Sequence, residues 1–189
     1  MWNKNKREVK IAISGKSGCG NTTISHLVAD ALELRFINFT FRSLAKEKGM
    51  EMSEILEKAA EDDSWDREVD SRQVSLAREE GGCVLGSRLA IWMLPEADLK
   101  VFLTARPETR ANRIQKREGG ALEDTASFTA FRDKQDKERY LRIYNIDNDN
   151  FYFADLVINT DDMQPMQIAG VIIEKLQEKF PDIDVSWVT

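Results

Sequence analysis

Short apolar runs alternate along this chain with longer stretches in which apolar residues return every three or four positions. VKIAISG (9–15) has the continuous hydrophobicity of a strand buried on both faces, and it stops at Gly15. Beyond the loop that follows, Ile24, Leu27, Val28, Ala31 and Leu32 keep helical spacing, which predicts a helix over 21–34. LRFINF (34–39), CVLGS (83–87), LKVFLTA (99–105) and ADLVINT (154–160) predict four further strands. The charged, helix-prone segment 41–82 ends at a double glycine and predicts two or three helices. Other helices are expected from Pro107 to Glu118, through a long polar stretch to about Tyr144, and from Pro165 to Phe180. Strands alternating with helices predict an α/β fold with a doubly wound parallel sheet, whose ligands sit beyond the carboxyl ends of the strands.

Length and composition narrow this picture. The 189 residues make one ordinary domain, and 42% hydrophobic with 32% charged residues excludes a disordered chain. A net charge of −6 argues against a general nucleic-acid binder, although local arginine clusters can still grip phosphates. Cys19 and Cys83 are too few for a disulfide framework and lack metal-ligand spacing. There is no run near 18 apolar residues, and the start MWNKNKREVK has no apolar leader core. The expectation is a cytoplasmic enzyme or binding protein without a membrane partner.

The first loop carries the candidate chemistry. GKSGCGNTT (15–23) follows a strand, opens a helix and matches the phosphate-loop pattern G-x-x-x-x-G-K-[ST] except at Asn21, which stands at the lysine position. Gly15, Gly18 and Gly20 let successive N–H groups point inward, and the helix presents its N-terminus to a phosphate. Ser17, Cys19, Asn21 and Thr23 complete that cradle, and Thr22 stands where the pattern's hydroxyl holds Mg²⁺. Lys16 either restores part of the missing charge or points to solvent.

Arginines form the second feature. Arg106, Arg110, Arg113 and Arg117 follow one helical face, and Arg132, Asp136 and Arg139 share another, with Asp133 and Arg142 close by. The segment between them, GGALEDTASF, has the makings of a mobile closure that brings arginines to an anion and excludes water. Asp133 and Asp136 either orient arginines, meet a sugar or base, or form structural ion pairs. Asp66, Asp70 and Arg72 share a helical neighbourhood that either faces an acceptor or is a solvated charged face. His26, the one histidine, reads as an ordinary helix residue, and Trp65 and Trp92 read as packing.

In order along the chain, ISGKSGCGNTT, FRSLAKEKGM, DREVDSRQ, SRLAIWML, ADLKVFLTARPETRANRIQKREGG and RDKQDKERYLRIYNIDNDNFYFADLVINT resemble the cytidylate kinases. The likeness is to the short archaeal-type branch of the P-loop nucleoside monophosphate kinases, from about Lys10 to Lys179. It implies a five-stranded P-loop core (1–36, 82–119, 150–189), an acceptor-binding insert (37–81) and a lid (120–149). It also implies Mg²⁺-assisted transfer of the γ-phosphoryl of ATP to CMP or dCMP by a monomer. By the same resemblance the loop from Gly15 to Thr23 and Arg113 hold ATP, Thr22 lies near Mg²⁺, and Arg42 and Arg88 hold the acceptor. The resemblance also implies that Asp133 belongs to the lid and meets the acceptor while Arg132 and Arg139 supply catalytic charge, and Lys16 of the loop is a further candidate for that charge.

Three features, at four positions, depart from that pattern. Asn21 replaces the usual loop residue, Gly86 replaces the acidic residue of LEGR, and Ile37 and Asn38 replace a small pair near the base. A kinase with another acceptor and a nucleotide-binding regulator of low turnover are the alternatives that these departures raise.

Overall fold

The computed structural model describes residues 8–183, so the stretch 1–7 and most of the C-terminal tail lie outside the described residues. Five strands form one wholly parallel sheet: β1 (Lys10–Gly15), β2 (Arg35–Ile37), β3 (Cys83–Gly86), β4 (Leu99–Thr104) and β5 (Leu156–Asn159). Their order is β2-β3-β1-β4-β5, with Ile13 level with Gly86 on one side and with Val101 on the other. Alternation along β1 divides the core. Ile11 and Ile13 join α1 (Asn21–Leu32) and α8 (Pro165–Lys179) on one face, while Ala12 packs with Leu85, Ile91 and Phe102 on the other.

The strands are shorter than the apolar runs suggested. The run 34–39 pairs only over Arg35–Ile37, because Asn38 and Phe39 leave the sheet for α2 (Phe41–Lys48). Thr40 starts that helix with a reciprocal capping box to Ser43. The charged segment resolves into three helices, α2, α3 (Met52–Glu61) and α4 (Ser64–Arg78), around a satellite core of Phe39, Leu44, Ile55 and Val69. One element was not anticipated: α5 (Ala90–Met93), a single turn whose Ile91 N–H donates to the buried Ser14 hydroxyl. Beyond β4, α6 (Pro107–Glu118) ends at Gly119 and Gly120, both at positive φ, and α7 (Leu122–Tyr144) is one unbroken helix of 23 residues. No helix among the described residues is long and apolar enough to cross a membrane.

Candidate active site

The loop between β1 and α1 sits at the carboxyl end of the central strand, flanked by β3 and β4. Gly20 caps α1 at φ 102° with no side chain bonded to the first turn, so the helix's N–H groups are left for a ligand. Gly18, at φ 84°, faces the α6 backbone so closely that a Cβ would lie 2.8 Å from the Arg110 carbonyl. Asn21 does not reach outward as a lysine would. Its Nδ2 donates to the Gly15 carbonyl at 2.5 Å, which staples the two ends of the loop together. Thr22 and Thr23 are exposed on the first turn of α1.

Positive charge comes to this loop from other elements. Arg110 donates to the Ser17 carbonyl at 2.8 Å and grips Asp133 with both terminal nitrogens, at 2.7 and 2.9 Å. Arg113 donates to the Gly18 carbonyl and to both oxygens of Thr160, at the end of β5. From the turn just after β3, Arg88 donates to the Ser17 hydroxyl at 2.7 Å and pairs with Asp136 at 3.2 Å. Lys16 lies 2.7 Å from Asp149, whose carboxyl is held below its ordinary range by hydrogen bonds from Lys137 and Lys16. A cavity of about 10 Å³, room for one water, lies among Lys16, Arg88, Asp133 and Asp136. The four arginines expected on one face of α6 divide: Arg110 and Arg113 face the loop, Arg106 pairs with Asp161, and Arg117 stays at the surface beside Glu118.

The remaining expected residues are Arg42, Arg132 and Arg139. Arg42 and Arg132 are exposed and make no ion pair among the described residues. Arg132 has its pKa lowered by partial burial and by the neighbouring charge of Arg88. Arg139 lies between two carboxylates, Asp136 at 2.8 Å and Asp66 at 3.4 Å.

That last contact shows what the charge pattern of α4 concealed. Asp63, Asp66 and Asp70 all meet α7, so the solvated-face reading fails for Asp66 and Asp70. Asp63 binds Arg142 and Asp70 accepts from Tyr144 at 2.7 Å. Burial pushes the carboxyls of Asp66 and Asp70 up. Arg72 faces out to Glu47. A spacing of three and four residues was the available signal, but it does not say which face is inside.

For magnesium the loop offers the hard oxygen of Thr22, Oγ1, which accepts from Asn38 Nδ2 at 3.3 Å. A carboxylate at position 86 is sterically barred, since a Cβ on Gly86 would sit 2.4 Å from Ser25 Oγ. This donor set fits an ion held mainly by nucleotide phosphates and water, with Thr22 as its protein ligand.

Cys19 lies inside the loop, almost fully buried, and burial raises its thiol pKa against the pull of Arg110. It is expected to stay unalkylated by iodoacetamide at pH 8 in the native protein, as read by mass spectrometry of intact chains. Rapid native labelling would show that the loop opens far more than this packing implies.

Comparison with known proteins adds an independent line. The model of the cytidylate kinase-like family matches residues 10–162. Cytidylate kinase 2 of Borreliella burgdorferi is 45% identical over 175 residues, spanning 90% of this chain and 97% of that protein. Cytidylate kinase of Archaeoglobus fulgidus is 38% identical, spanning 93% and 99%. Among solved structures, shikimate kinase from Acinetobacter baumannii (TM-score 0.62, 17% identity, 90% and 94% covered) is similar in fold. So is deoxyadenosine kinase from M. mycoides (TM-score 0.56, 16% identity, 89% and 100% covered).

Proposed function

This chain belongs to the cytidylate kinase-like family, and from that membership and the arginine-walled loop we propose that it transfers the γ-phosphoryl of ATP to CMP. The observation that carries the reading is the convergence of Arg88, Arg110 and Arg113 on the carbonyls and hydroxyl of the phosphate loop. They form a fixed positive wall at a loop whose lysine position holds Asn21. Such a wall stabilises charge as it develops, without reorganisation at the moment of transfer.

The loop from Gly15 to Thr23 cradles the phosphates of ATP with its N–H groups. The acceptor phosphate lies between Arg42 of the insert (37–81) and Arg88 of the core. The lid (120–149) brings Arg132 and Arg139 to the transferring phosphoryl and the acceptor, and expels water that would compete as nucleophile. Asp133, held by Arg110, ties the lid helix to the loop and meets the acceptor as it closes. Lys16 supplies further charge when phosphates draw it from Asp149. Thr22 is the residue that would hold magnesium arriving with ATP, and the ion would supply neutralisation of phosphate charge. No covalent intermediate with the enzyme is required, because positioning and charge suffice. The reading takes dCMP as a second acceptor, one chain as the working unit and the cytoplasm as the setting.

ADP release, coupled to a spectrophotometric readout, tests this with ATP, magnesium and each nucleoside monophosphate in turn. CMP is expected to be the best acceptor. Preference for UMP or AMP would replace the acceptor, and ATP binding without turnover on any of them would leave a regulator in place of an enzyme.

A further inference from the structure

We infer that Lys16 works in two positions, one on Asp149 in the empty enzyme and one against the amide oxygen of Asn148 beside the transferring phosphoryl. Asn148 and Asp149 are then positioning residues that act through this lysine. The inference rests on the reading of the chain as an ATP-dependent CMP kinase and goes on to name what places the loop's own charge.

The turn behind α7 is held at both ends. The Asp149 N–H donates to Asp147 Oδ1 at 3.1 Å, and the Asn150 N–H donates to the Asp147 carbonyl at 3.0 Å. Beyond it, the Phe151 ring stacks on Phe102 of β4 with centroids 4.0 Å apart. Between these anchors Asn148 is only 6% exposed, yet its Oδ1 is buried with no hydrogen-bond partner among the described residues. Such groups are nearly always satisfied, and an open one carries its full desolvation cost, so this oxygen points to a donor that arrives.

A donor is close by. Asn148 lines the cavity of about 10 Å³ together with Lys16, Arg88, Asp133 and Asp136. That space admits one group of the size of water, and an ammonium is such a group. Both oxygens of Asp133 and both of Asp136 are engaged by arginines, which leaves Asn148 Oδ1 as the unused side-chain acceptor. Lys16 instead pairs with the neighbouring residue, Asp149, at 2.7 Å. Asp149 is bound equally by Lys137, at 2.7 Å, so the departure of Lys16 strands no carboxylate. A partly exposed ion pair of this kind is weak, and the several charges of a triphosphate overcome it. Turned into the cavity, the ammonium lies between the loop that cradles ATP and Arg88, which meets the acceptor phosphate. Its three hydrogens then serve the Asn148 oxygen and the phosphates together.

Calorimetric ATP affinity and steady-state kinetics with CMP test this on Asp149→Asn and Asn148→Ala, each alone and combined with Lys16→Ala, with melting temperatures alongside. Asp149→Asn frees the lysine and is expected to tighten ATP binding about two- to five-fold, the strength of one exposed ion pair. Weaker binding would mean that Asp149 holds Lys16 in its working position, and would overturn the inference. Asn148→Ala is expected to lower kcat about 10-fold or more, with a melting temperature within a few degrees of the wild type, because Oδ1 has no partner to lose in the empty enzyme. A melting temperature that falls in step with kcat would make Asn148 structural and overturn its role. Both effects are expected to vanish once Lys16 is alanine. Effects of undiminished size in that background would overturn the inference, since neither residue would then act through the lysine. Should Asn148→Ala fail to fold, the sign of the Asp149→Asn effect on ATP affinity decides. Wild type that binds ATP but does not phosphorylate CMP would remove the function itself, while that sign still reports on the two positions.

Discussion

Replacing Arg132 by alanine is expected to lower turnover by about 10³-fold while leaving folding stability within about 0.5 kcal/mol of the wild type. The separation of the two effects follows from where the residue sits. Arg132 is exposed and bound to no carboxylate among the described residues, so its removal strands nothing. Desolvation and the neighbouring charge of Arg88 lower its pKa, and on the proposed function it is free to meet an anion that arrives with the substrate. Arg139 gives a less clean experiment. Truncating it leaves Asp66 and Asp136 buried without their shared partner, a loss that costs about 3–5 kcal/mol where a buried ion pair is broken. Steady-state kinetics beside urea denaturation measure the contrast. A fall in stability for Arg132→Ala that matches its fall in activity would place this arginine in the framework and not at the reaction.

The second large effect is expected at Gly86. Restoring an acidic residue there looks like a repair, because the related pattern LEGR carries glutamate at this point. The structure makes it damaging. A Cβ at 86 would lie 2.4 Å from Ser25 Oγ, 2.7 Å from Ser25 Cβ and 3.3 Å from the Phe36 ring. Gly86→Ala is expected to cost about 1–3 kcal/mol through overpacking alone. Gly86→Asp adds an unpaired buried carboxylate and is expected to lower the melting temperature by about 10 °C or more. Ser25→Gly removes the obstructing atoms, so pairing it with Gly86→Ala is expected to recover part of the loss beyond additivity. Additive losses in the double variant would show that Ser25 is not the obstruction. The two residues have exchanged space, which is why the carboxylate of the related pattern has no room to return in this chain.

The glycines of the phosphate loop, the strand before it and the helix after it were legible because each follows from a local rule. So were the five strands and the arginine-rich character of α6 and α7. Strand ends were overextended at 34–39, since apolar Phe39 serves the satellite core around α2, α3 and α4 and not the sheet. The single turn of α5 was too short to leave a periodic signal. The role of Asn21 was open for a different reason. Its sequence position raised the question of missing charge, and only the fold shows that it staples Gly15 while Arg88, after β3, and Arg110 of α6 contact the loop.

By itself the sequence determined the α/β class, the phosphate loop and its place at the end of the first strand, and the family likeness. Those rest on patterns that repeat every two or three to four residues, or on glycines needed within one turn. The tertiary structure decided which charges meet. Asp66 faces Arg139 from 73 positions away and Arg88 reaches Ser17 from 71, while Lys16 finds Asp149 across most of the chain. A charged residue on a helix carries no local mark of whether its face turns to water or to a neighbour. That is settled only when the sheet brings α4, α6 and α7 around the loop, where desolvation leaves a charge two options, a partner within the chain or a ligand.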